Sequence, residues 1–170
     1  MKNKGCALIL FIFIFSNVFA QSSKYSRVNP APAEKKIIWK KFISENILDV
    51  GKRSLLTFDG ASYDLKSHFA PIYSQKISLP LNTTAVEVKI ENAVYQVLSD
   101  SEKIALNNCG PETKKVITNE IAPSTSISVF RKKPYAFVQF IPIRKNNLTG
   151  NYEKLISFSL QISPIQFNNR

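Results

Sequence analysis

The sequence predicts an all-β fold, an antiparallel β-sandwich with at most one or two short helices. Its apolar residues fall in strand-length runs, several of which alternate with polar residues at the period of two that a half-buried strand requires. Turn-forming residues, among them 9 prolines, separate these runs. No stretch sustains the 3.6-residue periodicity of a long amphipathic helix. Many short strands with frequent turns are typical of a sandwich.

The first 20 residues, MKNKGCALILFIFIFSNVFA, have the layout of a secretory signal peptide. Lys2 and Lys4 precede an unbroken apolar run, and Val18-Phe19-Ala20 supplies a cleavage motif. We expect cleavage after Ala20 and export to the periplasm, the outer membrane or the cell surface. An uncleaved N-terminal anchor is the alternative.

The mature chain is large enough for one domain with its own core. We expect this domain over residues 35–170, after a polar, proline-bearing and flexible lead-in over residues 21–34. Residues 53–58 (RSLLTF) predict a strand that ends at Asp59-Gly60, the strongest short turn signal of the chain. Residues 76–80 (KISLP) predict a short extended segment.

Residues 84–98 (TAVEVKIENAVYQVL) predict the clearest strand. Its aliphatic and charged side chains alternate, which places the aliphatic ones on one sheet face and the charged ones in water: Val86, Val88 and Ile90 against Glu87, Lys89 and Glu91. Asn92-Ala93 predicts a bend within this strand.

A short helix is predicted over residues 100–108 (DSEKIALNN), with Asp100 or Ser101 as its N-cap. Residues 113–121 and 126–130 predict further strands, separated by Pro123.

The segment with the most regular pattern runs from Pro134 to Ile162. Both faces of the predicted strand 135–141 are largely apolar, which indicates a central strand that is covered on both sides. Pro142 should weaken the ladder, and we expect a hairpin loop from the polar residues 144–147 and the flexible residues 148–151. The return strand alternates, with four residues towards the core and three outwards: Ile156, Phe158, Leu160 and Ile162 against Ser157, Ser159 and Gln161. Together the two strands predict a long antiparallel hairpin that serves as scaffold.

The formal charge of +11 would fall to +9 on loss of Lys2 and Lys4 with the signal peptide. The basic residues are spread in pairs and triplets, such as Arg131-Lys132-Lys133, and form no long block. This pattern indicates a solvated basic surface, with attraction to an anionic surface or an acidic partner, and does not indicate nucleic-acid binding.

Candidate catalytic and metal-binding residues are few. With Cys6 lost in the signal peptide, Cys109 stands alone and forms no intramolecular disulfide. A dyad of Cys109 with His68 would lack an orienting third group. Asp59, Asp64 and His68 could be imagined as a metal cluster, but their spacing fits no familiar ligand pattern. The sequence therefore predicts no catalytic, cofactor-binding or metal-binding residue, no cofactor, and no enzymatic activity.

Residues 128–162, SVFRKKPYAFVQFIPIRKNNLTGNYEKLISFSLQI, resemble the end of the N-terminal, propeptide-like region of gingipain-related cysteine peptidases of family C25. The likeness is strongest to the sortase of the bacterial type IX secretion system. The shared features are basic residues before an aromatic-aliphatic strand, then IPIRK, a glycine-containing loop, and YEKLISFSLQI. The upstream segment KISLPLNTTAVEVKIEN fits the same region.

In that family a Cys–His pair performs catalysis within a caspase-like domain downstream of this region, and neither His68 nor Cys109 matches it. The resemblance implies a non-catalytic N-terminal module that positions or assists a downstream or separate C25 peptidase domain, or docks on type IX secretion components, with peripheral outer-membrane association. The alternative is an independent secreted β-sandwich that binds a glycan or an acidic surface ligand through its basic and aromatic residues, such as Trp39.

Overall fold

The computed structural model describes residues 34–47 and 51–166. The predicted signal peptide and all but the last residue of the predicted lead-in lie outside these ranges. The elements follow one another in this order: β1 (Glu34–Lys36), β2 (Trp39–Ile47), β3 (Gly51–Phe58), β4 (Tyr73–Ser78), β5 (Thr83–Val97), α1 (Asp100–Asn108), α2 (Pro111–Val116), β6 (Ser124–Phe130), β7 (Lys133–Phe140), β8 (Ile143–Lys145) and β9 (Tyr152–Gln166).

The described strands form three antiparallel sheets, which confirms the all-β prediction. In the largest sheet, β9 lies between β1 and β5 and also pairs with β8. In the second sheet, β7 lies between β4 and β6. The pair β2–β3 forms a third sheet of its own.

The main core lies between the sheet centred on β9 and the sheet centred on β7. Val138 and Phe140 of β7 pack in one buried cluster with Phe158 and Leu160 of β9. The rings interlock: Tyr73 stacks on Phe140 at 4.8 Å between centroids, and Phe158 meets these two rings edge-on at 5.3 and 5.4 Å. The two central strands of the sandwich thus face each other across its interior.

A second, smaller core lies beneath the helices. It contains six buried residues from β3, α1, β8 and the connecting segments: Leu56, Leu98, Ala105, Leu106, Ile117 and Ile143. Neither helix in the described residues is long and apolar enough to cross a membrane.

Helix α1 has the predicted bounds, but its N-cap is Ser99 rather than Asp100 or Ser101. The Ser99 hydroxyl accepts a hydrogen bond from the backbone N–H of Glu102, and the Glu102 carboxylate accepts one from the backbone N–H of Ser99. This reciprocal capping box satisfies two backbone donors at once, which explains why the cap lies one residue earlier than predicted.

Replacing Ser99 with alanine should lower the free energy of unfolding by about 1 kcal/mol, because an alanine at this position cannot accept the N–H of Glu102. Urea denaturation followed by circular dichroism measures the difference. The matched control is Ser101→Ala, which removes a hydroxyl 3.2 Å from that of Ser99 but keeps both hydrogen bonds of the box, and should cost less. An equal loss in both variants would contradict the assignment of Ser99 as the cap.

The strand predicted over residues 113–121 is wrong. Helix α2 occupies its first half, and residues 117–123 form no helix or strand. Pro111 lies in the first turn, where its missing N–H costs nothing, and Glu112 is near the positive end of the helix. The Thr113 side chain is buried beneath it. Local start signals therefore prevail over the β-branched residues that follow.

The predicted long hairpin between residues 135–141 and 156–162 is also wrong. β7 pairs with β4 and β6, while the strand that forms the hairpin with β9 is the short β8. The chain passes from one sheet to the other at Ile141-Pro142, because Pro142 has no N–H with which to continue the ladder of β7.

The face alternation of β9 differs from the prediction at two positions. The register with β5 shifts between Val94 and Tyr95, so that Ser157 and Leu155 are their partners and Ile156 is skipped. Leu155 therefore joins the core in place of Ile156. Ser159 is buried because β9 is flanked by β1 and β5 at this point.

The alternation predicted for β5 is confirmed. Val86, Val88 and Ile90 are partly covered, whereas the charged residues between them are exposed. The predicted bend is present at Asn92, whose φ of 51° lies in the left-handed region that asparagine tolerates.

Candidate docking surface

The outer face of the β4–β7–β6 sheet carries exposed aromatic and basic side chains. In β7, Ala136, Val138 and Phe140 point into the core, and the residues between them point outwards. The Phe137 side chain is 39% exposed and Tyr135 is half-buried. The prediction that both faces of this strand are covered is therefore wrong: β7 is central, but one of its faces is open.

Lys76 lies across the aromatic side chains of this face. Its Nζ is 4.0 Å from the ring centroid of Tyr135, 5.6 Å from that of Phe130 and 5.8 Å from that of Phe137. The pairings of Lys76 with Phe137 and of Phe130 with Lys133 bring residues of β4, β6 and β7 together. We call the following five residues the aromatic face: Lys76, Phe130, Lys133, Tyr135 and Phe137.

The aromatic face is flanked by serines. Apart from Lys76 and Phe130, the outward positions of β4 and β6 on either side of β7 carry hydroxyl groups: Ser74, Ser78, Ser124, Ser126 and Ser128. Ser74 and Ser124 bond to the side chain and the backbone of Gln139. Serine hydroxyl groups therefore lie on both sides of the outward aromatic residues of β7.

Strand β6 is exposed on both of its faces. Six of its seven residues are exposed, and only Ile127 is partly covered. Val129 is 67% exposed and Phe130 57%, although they point to opposite sides of the sheet. Exposing two large apolar side chains at a strand end is unfavourable in an isolated protein. Such exposed apolar side chains are typical of a surface that binds a partner.

The β6–β7 turn is made by Arg131 and Lys132, which have φ angles of 49° and 63°. These angles match the tight hairpin turn that normally recruits glycine or asparagine. Placing two long basic residues there costs conformational energy, and both are exposed. The Arg131 guanidinium lies 5.3 Å from the ring centroid of Phe130.

The aromatic face is positively charged. No acidic residue occurs in β4, β6 or β7, and neither Lys76 nor Lys133 forms an ion pair with a residue that the structure describes. At the far end of the sheet a cleft of about 490 Å³ includes Asp64 and Glu120 in its lining. The positive charge is thus concentrated towards the β6–β7 turn.

Sequence reasoning missed this face although a signal was present. Serine occupies alternate positions in both neighbours of β7, as S-x-S-x-S in residues 124–128 and S-x-K-x-S in residues 74–78. Two flanking strands with polar residues at the same spacing indicate a solvated sheet face. The aromatic residues of the central strand that share this face are then expected to be exposed.

Thr113 bridges the backbones of His68 and Cys109. The Thr113 hydroxyl contacts the carbonyl oxygens of His68 and Cys109 at 2.5 and 3.2 Å. Cys109 is buried, and its Sγ donates to the Ala105 carbonyl at 3.4 Å. This arrangement is that of a packed C-cap residue of α1.

Asp59 and Asp64 serve local structure. Asp59 forms an ion pair with Lys40 across the β2–β3 pair. Asp64 Oδ1 accepts the backbone N–H of Ser67 at 2.5 Å, which closes a turn. Across the described residues, no group of three or more His, Cys, Asp or Glu side chains could hold a metal ion.

Glu153 fastens the β8–β9 hairpin. Asn146 Nδ2 donates to Glu153 Oε1, and Arg144 Nε donates to Oε2, both at 2.8 Å. The Arg144 guanidinium also lies 3.5 Å from the ring centroid of Tyr95. The hydrogen bond from Asn146 and the charge of Arg144 hold the pKa of Glu153 below its usual value, although burial works against ionisation.

A second ion pair joins α1 to β9. Lys154 Nζ lies 2.5 Å from Glu102 Oε1, with both side chains largely buried, and 5.7 Å from the ring centroid of Trp39. Burial raises the pKa of Glu102, but the hydrogen bonds from Lys154 and Ser99 outweigh it and leave the pKa lowered.

Acid should weaken the protein through these carboxylates. The pKa of each carboxyl group is lower in the folded protein than in the unfolded chain. The ionised carboxylate therefore contributes fully to the free energy of unfolding above the ordinary pKa of 4.5, and this contribution is lost as the pH falls through the folded pKa. We expect the stability difference between the wild type and Glu153→Gln to shrink from pH 7 to pH 3. Urea denaturation at both pH values measures it, and an unchanged difference would contradict this role of Glu153.

Comparison with solved structures shows a shared fold. A chain of the complex of Porphyromonas gingivalis RgpB pro- and mature domains matches with a TM-score of 0.51 and 14% identity, over 82% of this chain and 83% of that chain. A structure solved for the zymogenic latency of gingipain K from P. gingivalis matches with a TM-score of 0.43 and 12% identity, over 78% and 98%. Of these two, the RgpB complex has the closer likeness in fold. No protein-family model matches the chain, and no curated protein matches it significantly.

The gingipain part of the predicted resemblance is therefore confirmed at the level of the fold. The chain has a gingipain-propeptide-like architecture, in which β-sheets predominate and the helices are short.

Proposed function

We propose that the protein is a non-catalytic, pro-domain-like module that binds a family C25 cysteine peptidase domain and positions it or assists its folding. The observation that carries this proposal is the fold shared over most of the chain with a member of the complex of RgpB pro- and mature domains. In that complex a pro-domain and a mature domain associate, which supports a cognate peptidase domain as the partner here.

The roles of the candidate catalytic residues support a non-enzymatic function. Cys109 is buried at the end of α1, and Asp64 closes a turn. The outer face of the β4–β7–β6 sheet instead exposes aromatic and basic side chains, which suits binding.

A narrower role follows from the sequence string of residues 128–162. This string is similar to the N-terminal region of PorU, the sortase of the type IX secretion system. We propose that the module is exported and acts beside such a sortase-like peptidase domain, or docks on secretion components at the outer membrane. Export would rest on the predicted signal peptide in residues 1–20.

The test is to titrate the full chain into the C25 peptidase domain encoded in the same organism, with calorimetry for binding and a peptide substrate for activity. We expect a one-to-one complex and a changed peptidase rate. A caspase-like peptidase domain from another family is the control and should not bind. Absence of both heat and rate change with the C25 domain would contradict the proposal.

The positive aromatic face also favours a second candidate, an independent protein that binds an acidic glycan. Salt-sensitive retention of the full chain on immobilised alginate, combined with no binding to the peptidase domain, would support this second function over the first.

A further inference from the structure

We propose that the aromatic face and the adjoining end of β6 form the surface on which the peptidase domain docks, and that the matching surface of that domain presents a carboxylate within an apolar surround. This inference rests on the proposed function, since it names the docking surface and the chemistry of that same partner.

The apolar part of the argument comes from exposure. Phe130, Val129 and Phe137 leave 57%, 67% and 39% of their surface in water. Phe130 and Phe137 share the outer face, where Lys76 Nζ lies 5.6 and 5.8 Å from their ring centroids, whereas Val129 points to the opposite side of the sheet at the end of β6. Aromatic side chains are enriched at protein interfaces, where their burial supplies much of the binding energy. Burying them against a partner would remove the largest apolar exposure on this sheet.

The electrostatic part comes from Lys76. Three rings surround its ammonium group, which has no carboxylate partner among the described residues. A cation held in place above an apolar platform is ready for a charge-assisted hydrogen bond once water is displaced. Lys133 adds a second positive charge on the same face. Charge complementarity therefore requires an acidic partner.

The geometry favours a protein over a glycan. A sugar ring binds to an open aromatic face, whereas Lys76 lies directly over the ring of Tyr135 at 4.0 Å. The end of β6 is also exposed on both sides of the sheet, with Val129 on one side and Phe130 on the other. A protein surface can enclose such a projecting hairpin, while a single glycan chain covers only one side.

The experiment compares variants of the full chain in calorimetric titration into the C25 peptidase domain of the same organism. Lys76→Glu reverses the charge, Lys76→Gln removes it, and Phe130→Ser removes an apolar group. The first matched control is Lys89→Glu, at an exposed position of β5. The second is Leu148→Ser at the tip of the β8–β9 loop, because the Leu148 side chain is 95% exposed. Far-ultraviolet circular dichroism and urea midpoints verify that each variant is folded.

We expect Lys76→Glu and Phe130→Ser each to weaken binding by about tenfold or more, and Lys76→Gln to weaken it less than Lys76→Glu. The controls should stay within about twofold of the wild type. Added salt should weaken wild-type binding more steeply than binding by Lys76→Gln, because the variant lacks one interacting charge.

The outcomes separate this inference from the proposed function. If the wild type binds and the aromatic-face variants bind equally well, the docking surface is wrong while the proposed function stands. If the wild type does not bind the peptidase domain, the proposed function fails and this inference fails with it. If Lys76→Glu abolishes retention on alginate but leaves peptidase binding unchanged, the face is a glycan site and the inference is overturned.

Discussion

Replacing Phe158 with alanine should lower the free energy of unfolding by about 3–5 kcal/mol. The Phe158 side chain is completely buried and meets the rings of Tyr73 and Phe140 edge-on at 5.3 and 5.4 Å. Because it lies between two sheets that are each held by a ladder of backbone hydrogen bonds, the cavity cannot close by a small local shift. Urea denaturation at neutral pH, followed by circular dichroism, measures the loss.

The matched control is Phe137→Ala, which removes the same atoms from the exposed side of β7. Since Phe137 is only partly covered, we expect it to cost about 1 kcal/mol, in proportion to its smaller buried area. Equal losses in the two variants would contradict the assignment of one face of β7 to the core and the other to the surface.

Replacing Lys154 with alanine should lower the free energy of unfolding by about 3 kcal/mol, the lower end of the range for breaking a buried ion pair. The variant leaves the largely buried Glu102 carboxylate without its ammonium partner and removes the Lys154 ammonium group from above the ring of Trp39. The effect should diminish below the ordinary pKa of Glu102, because protonation of the carboxyl relieves its unpaired charge.

Two comparisons make this test specific. Lys103→Ala breaks the exposed pair with Asp100 and should cost less than about 0.5 kcal/mol. The double variant Lys154→Met with Glu102→Gln should recover part of the loss, because neither buried charge remains. A double variant that is less stable than Lys154→Ala would contradict the view that the unpaired Glu102 carboxylate causes the loss.

The sequence was sufficient for the fold class and for several element bounds. The alternation in β5 and the bounds of α1 follow from local patterns, since a period of two and a polar N-terminal turn act within a few residues. The pairing of β7 was not predictable in the same way. Two apolar strands joined by a loop suggested a hairpin, and only the long-range contacts of β7 with β4 and β6 reveal a different sheet.

The candidate site was predicted only in part. The basic residues and the absence of a recognisable catalytic motif are visible in the sequence, and they indicated a binding module. Whether Phe137 is exposed depends on which face of its sheet is covered, and that is decided by tertiary packing rather than by local sequence. Tyr135 and Phe137 resemble core residues in isolation, and only the serines on both neighbouring strands indicate an open face.

The most direct measurement of the central claim is amide hydrogen exchange of the full chain, alone and in the presence of the C25 peptidase domain from the same organism. A pro-domain-like module that docks through its three-stranded sheet should gain protection within residues 124–137, because β6 is an edge strand of that sheet and six of its seven residues are exposed. The β8–β9 loop around Leu148 should exchange as before. Unchanged exchange throughout the chain, or protection confined to that loop, would contradict the account.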